Sequence, residues 1–455
     1  MNVLFVIGKP GYFLEMALGQ FASRGTIKVY DCAPIMRGVG TGQVLSSMFV
    51  MTYYSSIMGL SLKYLYDSFK PDLPWSVCQD DWGNCIPAIR TANMTYPENS
   101  SSSADLYFNK AVFNQAPFLE GVFDFNWNLV GFLAISWFIV FLIVAKGVKS
   151  SGKCSYLLAI FPYFMLGIFL VKALTLEGAM DGISYFFKPQ WGKILEPGVW
   201  YAAVTQVFFS LNVYFANVIM YSSYNKFRHN VYRDSNIVTT MDTFTSILAG
   251  CCVFATLGHL KHELGVDHID EVMNPGPGVA FISYPETIAK FKSLSRVYSV
   301  AFFLMLYVLG IGSNVAQTSC VVTEIRDHFK KVKNWQAALG VAICGTFLGS
   351  FYLTRSGPNL LSLVDHYGAT FIAFNLVIFE LGTFCYIYGV DRICKDIEFM
   401  LGFRPNLYWR ICWKYLTPGS TAFLVAYYYW DFKSDVAGDR KGCFKIEPCW
   451  SLALI

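Results

Sequence analysis

The sequence predicts an all-α polytopic membrane protein, and three observations carry that prediction. Its 455 residues are 55% hydrophobic and only 15% charged, with a mean hydropathy of +0.42; a soluble domain is nearer about 45–50% apolar and about 25% charged. Nine mostly apolar runs reach the ~20 residues a helix needs to cross a bilayer. The loops between them alternate between Lys/Arg-rich and Lys/Arg-poor. Runs of this length exceed barrel strands, and helices satisfy their own backbone hydrogen bonds in lipid. The composition excludes a disordered chain, a fibrous repeat and most soluble enzymes. The net charge of +4, spread over scattered bases, argues against a nucleic-acid partner and leaves the lipid bilayer as the surrounding medium.

The elements follow in order. Residues 1–19 form a weak apolar stretch, interrupted by Lys9 and Glu15 and too short to span alone. No basic segment or small-residue cleavage site marks it as a signal peptide. Spans follow at 41–65, 127–146, 155–174, 199–222, 236–258, 297–322, 336–354, 363–389 and 411–430. Lys146, Lys149, Arg228, Arg233, Lys330, Lys331, Lys333 and Arg392 concentrate in one alternating set of loops, which the positive-inside rule places in the cytosol. The 66–126 loop is then extracellular. It carries the glycosylation sequons at Asn93 and Asn99, and a disulfide is expected between Cys78 and Cys85. The tail at 431–455 is broken by Lys433, Asp435, Asp439, Arg440, Lys441, Lys445 and Glu447 and is expected not to cross the membrane.

Enzyme chemistry finds no constellation. His259, His262 and His268 gather with Glu263 and Asp267 in the 259–296 loop, where a solvated loop is favoured over a metal site because no zinc-ligand spacing is present. His366 reads as a polar helix cap. No phosphate-cradling glycine loop or nucleophile elbow occurs. Polarity within the spans is more informative, since membrane-embedded acids are costly and usually face a pathway or a partner. Asp242 and Ser246 share a face of the 236–258 helix, and a cation or proton role is favoured over a structural hydrogen bond. For Glu380 the preference is reversed. Gln206, Ser210 and Asn212 cluster within 199–222, either because the helix is broken there or because these side chains bond to a neighbouring helix. Gly310–Asn314 in the 297–322 span offers a similar small and polar surface.

The ordered segments GKPGYFLEMALGQF (8–21), YYSSI (53–57), TLEGAMDGISYFFKP (175–189), QVFFSL (206–211), GPGVAFISYPE (276–286), LGIGS (309–313), YGVDRICKDIEFMLG (388–402) and YWRICWKYLTP (408–418) resemble the neurotransmitter:sodium symporter family. The resemblance is strongest to its insect nutrient amino acid transporters. It implies the inverted-repeat fold of the bacterial leucine transporter type, with substrate and Na⁺ between broken helices one and six. By this resemblance Val50, Tyr54, Phe209, Phe215, Ser313 and Asn314 line the substrate pocket. Ser210 and Asp242 belong to a first sodium site and Leu309, Gly312 and Ser313 to a second. Gln206, Ser210 and Ser246 belong to a chloride site, with chloride as a candidate co-ion, and Asp365 is the acidic half of the outer gate. Two departures stand out: Asn212 and Tyr214 occupy the helix break where small residues are usual, and Asp242 replaces a commoner asparagine.

Counting the family's helices, the chain is expected to begin midway through the second and to end after the eleventh. The first helix, with its glycine-rich break, would then lie outside it. The resemblance implies sodium-coupled symport of neutral amino acids, large or aromatic ones fitting the apolar pocket residues, across the plasma membrane. Alternatives are a non-transporting truncated isoform that associates with a full-length transporter or with itself, an incomplete reading of the gene for a twelve-helix transporter, and a monoamine or other neurotransmitter cargo.

Overall fold

The computed structural model describes residues 2–88, 101–115, 121–266, 269, 278–291 and 294–438. Over these residues the chain is helical apart from loops and one two-residue parallel pair, β1 (Cys85–Ile86) with β2 (Ser101–Ser102). The Cys78–Cys85 disulfide is formed beside that pair. Asn93 and Asn99 lie outside the described residues.

The first helix, α1 (Lys9–Ala22), is continuous with a π-helical turn at Leu4–Gly8. Neither of its charges interrupts it. The Lys9 ammonium lies 5.8 Å from the centre of the Phe5 ring, and Glu15 is turned wholly into the bundle. A helical turn at Thr26–Val29 leads to α2 (Arg37–Asp67). There follow α3 (Trp127–Val144), α4 (Val148–Leu174), α5 (Ala179–Phe187), α6 (Pro197–Leu211), α7 (Asn217–Ser222) and α8 (Val231–Leu264). The remainder comprises α9 (Tyr284–Ala289), α10 (Ser295–His328), α11 (Asn334–Ser350), α12 (Gly357–Val364), α13 (Ile372–Leu381), α14 (Val390–Leu401) and α15 (Thr417–Gly438). A π-helical stretch at Asp365–Phe371 joins α12 and α13 into one rod.

Among the described residues, six helices are long and apolar enough to cross a membrane. Three expected spans fall outside that set for identifiable reasons. The 41–65 run lies in α2, which is rich in Ser, Thr and Gly. Several of its hydroxyls are satisfied within the helix, as in Ser55 to the Thr52 carbonyl (2.8 Å) and Ser61 to the Ile57 carbonyl (3.0 Å). The 199–222 run is divided between α6 and α7. The 411–430 run continues as α15 to Gly438, with Asp431, Lys433 and Asp435 in its last turns. Residues 439–455, most of the expected tail, lie outside the described residues.

Two further boundaries differ from expectation. Helix α8 extends to Leu264 and is stopped by Gly265 in the left-handed region (φ 65°), so His259 and His262 are helical and not in a loop. His259 Nδ1 bonds with the Glu177 carbonyl at 2.9 Å; Asp267 and His268 fall outside the described residues. The 363–389 run begins earlier, at Gly357, with Pro358 in the first turn where a missing N–H costs nothing. His366 is consequently inside the rod, bonded to the Tyr428 hydroxyl at 2.6 Å, and caps no end.

The core is built around α2 and α10, which make the most extensive helix–helix contact among the described residues. Helices α3 and α11 pack beside them, and α4 lies against the first half of α10. Small residues permit this closeness, as is usual where lipid supplies no hydrophobic drive between helices. At Gly310 a β-carbon would stand 2.7 Å from Met58 Cγ and 3.8 Å from Tyr54 Cε1. Gly19 plays the same part where α1 crosses α7: a β-carbon there would lie 2.0 Å from Ser222 Oγ and 2.3 Å from the Ile219 carbonyl oxygen.

Candidate functional site

Helix α6 ends because Asn212 turns left-handed, and the chain then remains irregular through Ala216 before α7 begins. Asn212 (φ 53°), Tyr214 (φ 67°) and Ala216 (φ 70°) all occupy a region that L-residues avoid, at about 1–2 kcal/mol each. Three such residues within one short segment persist only if their surroundings over-determine them. The surroundings do so from four directions. Glu15 Oε1 on α1 accepts the Tyr214 N–H at 3.1 Å, and Thr26 donates to the Ala216 carbonyl at 3.0 Å. From α2, the Ser47 hydroxyl donates to the Phe215 carbonyl. Three amides close the break on its fourth side. Asn217 Nδ2 donates to Gln317 Oε1 (2.7 Å) and to Asn212 Oδ1 (3.1 Å), and Gln317 Nε2 donates to Asn212 Oδ1 (3.3 Å). The polar cluster in 199–222 therefore marks a genuine break, and Asn212 and Tyr214 are accommodated in it.

Of the expected ion-site residues, Ser210 and Asp242 meet beside this break. Ser210, in the last turn of α6, donates a hydrogen bond to the Asp242 carboxylate on α8. Gln206 stands one turn before Ser210 and Ser246 one turn after Asp242, so helical register extends the polar face in both directions. The Gln206 carbonyl oxygen is buried without a protein partner, whereas Ser246 is exposed. Leu309, Gly312 and Ser313 form a stripe along α10, and Leu309 borders a cavity of about 310 Å³ shared with Tyr163, Thr245, Ala249, Tyr284 and Leu306. The Tyr54 hydroxyl faces the Ser313 side chain.

Of the expected substrate residues, Tyr54 and Phe209 are half-buried and Ser313 is exposed. Val50, Phe215 and Asn314 are buried, and the Phe209 and Phe215 rings lie 5.2 Å apart. Asp365 is fully buried at the head of the π-helical stretch, beside the Tyr53 hydroxyl, and does not sit on an exposed rim.

Oxygen donors dominate this region. Among the described residues no group of three His, Cys, Asp or Glu side chains converges. Hydroxyl, carboxylate and freed backbone carbonyl groups suit a hard cation, as they do at the broken helices of ion-coupled transporters.

Several contributors lie outside the residues marked from the sequence. Glu15 looks there like an interruption of an apolar stretch, and Thr26 like a loop residue. Gln317, three residues beyond Asn314, carried a readable signal as a polar residue on the same helix. Gln43 donates to the Glu380 carboxylate and accepts from the Tyr30 hydroxyl at 3.2 Å, which gives the deep acid Glu380 a structural partner.

Known proteins are similar in sequence over almost the whole chain. Residues 1–452 match the Sodium:neurotransmitter symporter family. The sodium-dependent nutrient amino acid transporter 1 of Drosophila virilis is 46% identical over 467 residues, covering 97% of this chain and 73% of its own length. The Drosophila melanogaster protein of the same name is 45% identical, covering 93% and 70%. That of Drosophila persimilis is 47% identical, covering 91% and 66%.

Proposed function

Because the chain belongs to the sodium:neurotransmitter symporter family, a family of secondary transporters and not of enzymes, we propose that it carries neutral amino acids with Na⁺ across the plasma membrane. The relatives' names supply the amino acid cargo. The observation that carries the reading is the break at Asn212–Ala216, held open beside the Ser210–Asp242 pair. In this reading the fold is the inverted-repeat arrangement of the bacterial leucine transporter type. Ser210, Asp242 and carbonyls at the break hold one sodium ion; the Leu309 and Gly312 backbone and the Ser313 hydroxyl hold another. The amino acid lies between Val50, Tyr54, Phe209, Phe215, Ser313 and Asn314, and Asp365 with Tyr53 belongs to the outer path. Ion and substrate together stabilise one arrangement of the break over another, and that differential affinity drives alternating access.

Uptake of radiolabelled leucine by cells expressing the chain is expected to fall to background when Na⁺ is replaced by choline. Sodium-independent uptake at the same level would refute the reading.

Asp242 also bears on chloride. A fixed carboxylate beside Ser210 supplies negative charge where Gln206, Ser210 and Ser246 would otherwise hold an anion. Substrate-driven currents are expected to persist in gluconate, and Asp242→Asn is expected to make them chloride-dependent. A full chloride requirement in the unmodified protein would sink this.

A further inference from the structure

We propose that the side-chain end of the substrate site is built for a carboxamide, so that glutamine and asparagine are preferred over apolar amino acids of the same size. This rests on the symport reading above. The observation behind it is Asn314, which is 0% exposed and whose Oδ1 and Nδ2 both lack a protein partner.

Its direction follows from its neighbours on α10. Gly310, one turn before it, faces Met58 and Tyr54 of α2. Gln317, one turn after it, reaches Asn212 and Asn217 at the break. Residues at this spacing share a helix face, so Asn314 lies on the face turned toward α2 and the break. Val50 of α2 and Phe215 of the break are buried in that same region.

Buried polar groups are ordinarily paired, and one left unpaired is costly. Here the unpaired groups are a donor and an acceptor on one planar amide, and Asn217 Oδ1 nearby is a further unpaired acceptor. A carboxamide meets Asn314 reciprocally, donating to its oxygen and accepting from its nitrogen, whichever way the Asn314 amide is turned. A methionine side chain has similar length and would leave both groups unpaired. A glutamate carboxylate would satisfy the nitrogen but set a second acceptor against Oδ1. Sites built to hydrogen-bond a substrate group discriminate strongly against analogues lacking it. Ser313, the residue before Asn314, faces the Tyr54 hydroxyl and is left to the symport reading.

The test is sodium-dependent uptake of glutamine and methionine by the full chain, with Asn314→Leu and Asn314→Ala compared at matched surface abundance. The unmodified protein is expected to favour glutamine in Vmax/KM by at least about tenfold, equivalent to ~1.4 kcal/mol. Asn314→Leu is expected to erase or invert that ratio, and Asn314→Ala to erase it. Sodium-dependent uptake with no glutamine preference overturns the inference and leaves the symport reading standing; so does a ratio unmoved by both substitutions. Absence of sodium-dependent uptake of any amino acid overturns the symport reading, and the inference with it.

Discussion

Replacing Glu15 by alanine is expected to cut sodium-dependent uptake at least tenfold and to lower thermal stability, whereas Glu15→Gln retains most of both. Glu15 is 0% exposed and accepts the Tyr214 N–H from α1, a separate helix. Removing the acceptor leaves a buried amide unpaired and a void behind it, together about 2–4 kcal/mol. That loss falls on a segment already carrying three left-handed residues, so the irregular backbone at 212–216 gives way first. Glutamine keeps an acceptor oxygen at nearly the same place, and the contrast between the variants isolates the hydrogen bond. Uptake and melting temperatures that fall equally for both would show that the hydrogen bond is not what Glu15 contributes.

Gly19→Val is expected to abolish surface expression, with Gly19→Ala intermediate. A β-carbon at Gly19 would lie 2.3 Å from the Ile219 carbonyl oxygen, and backbone cannot yield as a flexible side chain does. Helices α1 and α7 must separate, at about 1–3 kcal/mol or more for overpacking of this kind. The second obstacle, Ser222 Oγ at 2.0 Å, can be removed by Ser222→Ala. That change is expected not to rescue Gly19→Val, because the carbonyl remains. Surface biotinylation checks both variants, and normal abundance of Gly19→Val would contradict the close crossing.

The all-α class was legible because apolar runs of bilayer length leave few alternatives. Helix ends were less legible where hydropathy and capping signals disagree. Apolar content falls at His259, yet α8 continues to the left-handed Gly265; Pro358 signals the start of α12 although the residues around it are not strongly apolar. At the site, the residues near Ser210 and Asp242 could be marked because a polar group inside a span is itself a signal. Glu15 and Thr26 could not, since their meaning lies in partners at Tyr214 and Ala216 that are distant in sequence. The same holds for Asn314: that its amide is unpaired is a statement about every surrounding helix, which no local pattern contains.

The break between α6 and α7 is shaped by its neighbours more than by its own residues. A segment made of glycines could adopt such a course unaided, but Asn212, Tyr214 and Ala216 depend on Glu15, Thr26, Ser47 and Gln317, each from a different stretch of chain. These positions are consequently not free to drift one at a time. A substitution that removes the hydrogen bond given by any of the four supports is tolerated only with a compensating change in the break, such as glycine at a left-handed position. Across diverging transporters of this kind, the supports and the break would be inherited as a single unit.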